Sequence, residues 1–257
     1  RAPISEARRL LVKVGTRVLT DGEGELSTQR LEGIVADIAA LRAADREVLL
    51  VSSGAVGLGR NALGLAKPPT RLAMRQACAA VGQSHLMALY QRAFERHGLT
   101  IAQVLLTEAD LDDRTRYLNL RSTLLALLEQ GVVPILNEND AVSIAELAFL
   151  EGAERPVFGD NDRLSALVAT KLGADLLVLL AAVEGLHQTD PNQAPSAVLH
   201  SRIDPEDFEA TEQLAMQATS GPGQGGMRSK VQAALVAARS GCHAVIASGL
   251  AAQGLAR

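Results

Sequence analysis

Tryptophan is absent from this chain, and two tyrosines and four phenylalanines are the only aromatics among 257 residues. So few rings leave little material for stacking nucleobases, and a net charge of −4 lacks the basic excess of a nucleic-acid binder. Nucleic acid is therefore not an expected partner. Cysteine is nearly absent too: Cys78 in MRQACAAVG and Cys242 in RSGCHAVIA sit in apolar stretches with no CxxC or Cys/His ligand spacing, and both read as small buried residues. No run reaches the roughly 20 apolar residues of a membrane span, and the start RAPISEARR lacks the apolar segment of a signal peptide. The expectation is a cytoplasmic protein without a membrane partner.

Lysine is the scarcest charged residue, four against twenty-one arginines, and two of the four lie in glycine-bearing motifs. Lys13 stands in LLVKVGT and Lys230 closes GPGQGGMRSK. A compact ammonium on a flexible stem can follow a moving phosphoryl group, whereas a guanidinium fork suits fixed bidentate pairing. Neither GxxxxGK[ST] nor a GxGxxG after the first strand is present, so a P-loop or a dinucleotide fold is not indicated.

What is present is 47% hydrophobic and 21% charged residues, ordinary for a globular domain, at a length that suits one α/β unit. Six nearly continuous apolar runs recur along the chain: RLLVKVG, REVLLVSSG, TIAQVLLT, VVPILNEND, ADLLVLLAAVEG and CHAVIASG. Strands apolar on both faces suit a parallel sheet covered by helices on each side. Amphipathic stretches lie between them, among them residues 28–44, 70–98, 118–131 and 162–174. The fold expected is a three-layer αβα sandwich around a mostly parallel sheet, with residues 147–158 as a projecting hairpin or loop.

In an open parallel sheet, ligands bind beyond the carboxyl ends of the strands, and the unusual residues fall there. Strand one ends Lys13, Val14, Gly15, and strand two ends Ser52, Ser53, Gly54. The two glycines either allow backbone amides to approach phosphate oxygens or simply make tight turns. Gly225 and Gly226 precede Lys230 by about one helical turn, so a lysine on a new helix can reach back over a phosphate, or the segment is an ordinary loop before a helix. NEND, residues 137–140, offers Asp140 to an ammonium and Asn137 to a carboxylate, or forms a polar turn with a cap. GDND, residues 159–162, opens a helix: Asp160 or Asp162 can be its cap, or Asp160 can hold the two lysines while Asn161 donates to a substrate. Asp112, Asp113 and Arg114 read as a solvated helix start, and the five histidines form no ligand spacing.

Taken in order, VKVGT, VSSGAVGLGR, AAVGQ, LLT with DDR, VPILNENDAV, GDNDRLSALVA, EGL with TDP, and GQGGMRSK resemble the glutamate 5-kinase branch of the amino acid kinase family, over residues 9–248. The resemblance implies a single amino acid kinase domain across 1–257, without the C-terminal PUA domain of many relatives. It implies phosphotransferase activity: transfer of the γ-phosphoryl of ATP, with Mg²⁺, to the γ-carboxylate of L-glutamate, the first step of proline biosynthesis. Lys13, Lys230 and Asp160 would be catalytic. Nucleotide binding would fall to Lys13, Gly15, Gly54, Ala181, Ala182 and the loop Gln224, Gly225, Gly226, Met227, Arg228, Ser229 and Lys230. Ser53, Asn137, Asp140 and Asn161 would bind glutamate. Proline feedback and assembly into a homo-oligomer, a dimer or tetramer, are implied in the same way.

This chain departs from the pattern at Ala181 and Ala182, where the family usually carries a Thr-Asp or Ser-Asp pair, and at His187 and Gln188, where it usually carries Tyr-Thr. Two other readings follow: an N-acetylglutamate or aspartate kinase, or a catalytically weak module that senses glutamate or proline. Asp140 favours a substrate with a free ammonium, because an acetylated nitrogen would leave that carboxylate without compensation.

Overall fold

A computed structural model describes residues 2–21, 25–143, 161–189, 194, 196–204, 206, 226–250 and 255. Each of the six apolar runs contains a strand: β1 Arg9–Val14, β2 Glu47–Val51, β3 Ile101–Leu106, β4 Val133–Glu138, β5 Leu176–Ala181 and β6 His243–Ser248. They form one sheet in the order β3-β4-β2-β1-β5-β6, and every pairing in it is parallel. The described helices are α1 Ala2–Ser5, α2 Thr16–Leu19, α3 Thr28–Ala43, α4 Ala55–Ala62, α5 Leu72–Glu95, α6 Glu108–Asp112, α7 Arg114–Glu129, α8 Asn161–Leu172 and α9 Met227–Arg239. The segment 147–158, read from the sequence as a hairpin or loop, lies outside the described residues.

The period of two along each strand divides the core in two. Leu10, Val12 and Val14 of β1, with Val48 and Leu50 of β2 and Val133 and Ile135 of β4, pack with α3 and α5 on one face. Leu11, Leu49, Val51 and Leu136 pack with α7, α8 and α9 on the other. The same alternation decides where the polar residues at the strand ends point. Lys13 follows Leu11 and is aimed at the α8 and α9 layer, whereas Ser52 and Asn137 follow Leu50 and Ile135 and meet α5. Asp113 caps α7 by accepting the Arg116 amide, so the DDR segment is the helix start read from the sequence.

Two features require glycine. Gly54, at the N-terminus of α4, has φ of 105°, a left-handed conformation that side chains with a Cβ rarely adopt. Further along, α4 and α5 touch backbone to backbone: a Cβ on Gly82 would lie 1.7 Å from the Ala55 carbonyl oxygen, and one on Gly59 would lie 1.7 Å from that of Cys78. The contact holds the start of α4, which follows Ser53, against the middle of α5. Gly82→Ala must push the two helices apart, a backbone overlap at the upper end of overpacking costs, about 3 kcal/mol. A fall of about 6–12 °C in thermal midpoint is expected; a midpoint within 2 °C of wild type would mean that the helices separate at little cost.

Candidate active site

Lys13 occupies the carboxyl end of the central strand β1, flanked by Val51 of β2 and Leu179 of β5. Lys230 lies in the first turn of α9, and Asp162 is the second residue of α8. The three meet. The Lys13 Nζ is 2.6 Å from one Asp162 oxygen, Oδ1, and the Lys230 Nζ donates to the other, Oδ2, at 2.9 Å. The Ser229 hydroxyl also donates to Oδ2, at 2.7 Å. Lys13 is 3% exposed, Lys230 6% and Asp162 0%, so this carboxylate joins two ammonium groups almost out of water. Burial alone would raise the Asp162 carboxyl, but the charges of Lys13 and Lys230 outweigh it and hold the group below the ordinary carboxylate range.

The two ammonium groups bring positive charge to the sheet opening. Gly15 borders it, since a Cβ there would stand 3.5 Å from the Lys13 Nζ. Two helix N-termini without side-chain caps flank the same strand ends, α4 after Gly54 and α9 after Gly226. Such termini favour anions, and together with the two ammonium groups they fit the phosphates of a nucleotide.

The acid between the lysines is Asp162. Asp160, to which the sequence reading gave that role, lies outside the described residues; among the described residues the lysines meet its neighbour two positions on. The signal was helical phase: Asp162 lies in step with Ser165, Ala166 and Ala169, all on the buried face of α8. Ser229, expected only as part of the nucleotide loop, joins the cluster directly. Gln224 and Gly225 of that loop lie outside the described residues, whereas Gly226, Met227, Arg228 and Ser229 cap and begin α9. Ala181 ends β5 in the core and its carbonyl accepts the Gly249 amide, while Ala182 is exposed just beyond.

Next to Asp162, the Asn161 Nδ2 donates to the Ser52 carbonyl at 2.8 Å, to the Ser53 hydroxyl at 2.9 Å and to the Asn137 Oδ1 at 2.9 Å. Both amide hydrogens are thus taken by protein acceptors. The Asn161 Oδ1 is buried and has no hydrogen-bond partner among the described residues. Its orientation is fixed, because turning the amide over would set an oxygen against the Ser52 carbonyl. Sequence reasoning made Asn161 a substrate donor; here its Nδ2 faces protein acceptors, and its oxygen is the atom left over, one that could accept from an ammonium. Asn137 is 3% exposed and bonded to protein at both ends of its amide, so it stands behind Asn161. Asp140 is half-buried in the turn that closes through the Val142 and Ser143 amides onto the Asn139 carbonyl.

Among the described residues no group of three or more acidic, histidine or cysteine side chains is set to hold a metal ion. Both Asp162 oxygens are engaged by ammonium groups. A Mg²⁺ accompanying the nucleotide would therefore rely on phosphate oxygens and water for most of its ligands, the usual habit of that ion.

The sequence profile of the amino acid kinase family matches residues 8–248. The chain belongs to the amino acid kinase family. Within it, the chain is 50% identical over 249 residues to a glutamate 5-kinase of Azoarcus sp. (strain BH72), covering 97% of this chain and 64% of the relative. It is 48% identical over 259 residues to a glutamate 5-kinase of Ralstonia nicotianae (strain ATCC BAA-1114 / GMI1000), covering 100% and 66%. The chain thus spans about two thirds of the length of these relatives. Among solved structures, carbamate kinase from Giardia lamblia bound to AMP-PNP superposes with a TM-score of 0.64 at 16% identity, covering 96% of this chain and 94% of that one. At that identity the likeness concerns the fold, and it agrees with an amino acid kinase sandwich built on a parallel sheet. No helix among the described residues is long and apolar enough to cross a membrane.

Proposed function

We propose that this amino acid kinase transfers the γ-phosphoryl group of ATP to the γ-carboxylate of L-glutamate, forming γ-glutamyl phosphate and ADP. The observation that carries the reading is the meeting of the two lysines on Asp162 beside the Ser53 and Asn161 pair. A carboxylate is already a nucleophile and needs no general base, so catalysis reduces to in-line positioning and neutralisation of charge. Lys13 and Lys230 supply positive charge to the oxygens of the transferring group, and Asp162 holds their amines in one place while that group moves. The amides at Gly15, Gly54 and the start of α9 receive phosphate oxygens. Mg²⁺, carried with the nucleotide, supplies further charge neutralisation.

On the substrate side, Asn161 offers an oxygen and Asp140 a carboxylate to the α-ammonium, and Ser53 offers a hydroxyl. Two acceptors suit a free ammonium and disfavour its acetylated counterpart, which speaks for glutamate over N-acetylglutamate. The product would start proline biosynthesis in the cytoplasm. Feedback by proline and homo-oligomeric assembly belong to the same proposal, as the resemblance to glutamate 5-kinases implies.

The test is to incubate the chain with ATP, Mg²⁺, hydroxylamine and, in turn, glutamate, N-acetylglutamate and aspartate. Hydroxamate and ADP should form in equal amounts with glutamate and at no more than a few per cent of that rate with the others. Binding of glutamate without ADP release would favour a sensor module instead.

A further inference from the structure

Helix α5 carries three polar side chains at a spacing of seven, Gln76, Gln83 and Tyr90, and all three reach the carboxyl ends of strands or the segments that follow them. The Gln76 Nε2 donates to the Ser143 carbonyl at 3.3 Å. The Gln83 Oε1 accepts from the Asn137 Nδ2 at 2.9 Å. The Tyr90 hydroxyl bonds the Ser52 hydroxyl at 2.9 Å, fully buried. Seven residues are nearly two helical turns, so the three lie along one stripe. The apolar partners of α5 would have accommodated leucine or methionine along that stripe at no cost in polar burial. A row of polar groups there, each aimed at a strand end or the segment after it, implies work on those strand ends.

The middle member is the one linked to the substrate. Asn137 presents its Oδ1 to two donors, the Glu138 amide at 2.9 Å and the Asn161 Nδ2 at 2.9 Å, while its Nδ2 turns away to Gln83. Gln83 is 8% exposed, so this bond is shielded from competing water. Removing its acceptor strands a buried amide hydrogen of Asn137, which then regains a partner only by rotating. Rotation takes Oδ1 away from Asn161, and Asn161 loses one of the three acceptors that hold its own oxygen toward the site.

We propose that Gln83 is a positioning residue for the amino acid substrate, acting through Asn137 to keep the Asn161 oxygen aimed at the ammonium. This inference rests on glutamate being the acceptor substrate. The lysine and phosphate end is separate from this chain of amides, so the effect should be confined to one substrate.

Gln83→Met fills nearly the same volume without an acceptor, and Gln83→Glu restores an oxygen at the same place. In the folded Gln83→Met variant the KM for glutamate should rise about tenfold, the consequence of a buried donor left unpaired. The KM for ATP should stay within twofold, and Gln83→Glu should bring the glutamate KM back to within threefold of wild type. A readout independent of turnover is side-chain amide exchange by ¹⁵N NMR: the Asn161 NH₂ should be protected in wild type and in Gln83→Glu, and exposed in Gln83→Met. Equal rises in both KM values, an unchanged glutamate KM, or a Gln83→Met chain that does not fold would each assign Gln83 to packing and overturn the proposal. If wild type shows no glutamate-dependent turnover, the functional reading fails on its own. Amide exchange then decides the case, and unchanged Asn161 protection in Gln83→Met overturns the role of Gln83.

Discussion

Lys230→Met is expected to lower turnover about 10²- to 10³-fold while leaving the chain folded. The range is what removal of one preorganised charge-stabilising donor costs in other active sites. Methionine keeps the length and apolar character of the stem, so the packing of α9 against α8 should survive. Asp162 is not stranded by the change, because the Lys13 ammonium at 2.6 Å and the Ser229 hydroxyl at 2.7 Å remain on its oxygens. The loss of stability should therefore fall short of the 3–5 kcal/mol seen when a buried charge is left alone, at about 2 kcal/mol or less. Steady-state kinetics and thermal melts on one preparation separate the two effects. A melting loss that accounts for the missing activity would place Lys230 in the core rather than in the chemistry.

Asp162→Asn has the opposite signature, with both stability and activity falling. Two ammonium groups that are 3% and 6% exposed each lose the Asp162 carboxylate as a buried partner, with little water to replace it. Breaking a buried pair this way costs about 3–5 kcal/mol. Turnover should drop at least about 10²-fold as well, because neither amine is then held toward the phosphoryl group. The acid side provides a check. The folded-state pKa of Asp162 lies below the ordinary carboxylate value, so its stabilisation is fully present above the unfolded value of about 4 and is lost as pH falls from there through the folded value. Urea melts from pH 7 to pH 3 should show the wild-type advantage over Asp162→Asn holding down to about pH 4 and shrinking below it. An advantage unchanged at pH 3 would mean that folding does not lower the Asp162 pKa, and one that grows as the pH falls would mean that the carboxyl is neutral in the folded chain.

The six strands were legible in the sequence because a sheet covered on both faces leaves no wet side to interrupt its apolar runs. The two lysines were legible because the chain uses arginine almost everywhere else. The place of Asp162 was not, since either acid of GDND reads as a cap. The helical phase that puts Asp162 in step with Ala166 and Ala169 shows it on the buried face, and that requires knowing where α8 begins. The polarity of Asn161 was hidden for a different reason. Which end of the amide is taken by protein depends on the Ser52 carbonyl, 109 residues away in sequence. Gln83 and Tyr90 were hidden inside a helix whose other buried residues are apolar or small, where a polar residue reads as surface until its partner in a distant loop is known. The Gly82 contact escaped notice because a mid-helix glycine announces close approach only once the facing backbone is in place.

The chain has four lysines, so [¹⁵N]lysine labelling yields four ammonium signals, and this offers the most direct test that Lys13 and Lys230 share Asp162 in one phosphate site. Two signals should be protected from solvent exchange in wild type, both should lose protection in Asp162→Asn, and both should shift together when AMP-PNP and Mg²⁺ are added. Lys67, which is exposed, and Lys171, which lies over the Tyr117 ring, should respond to neither. Nucleotide-induced shifts of only one protected lysine, or of neither, would contradict a shared site.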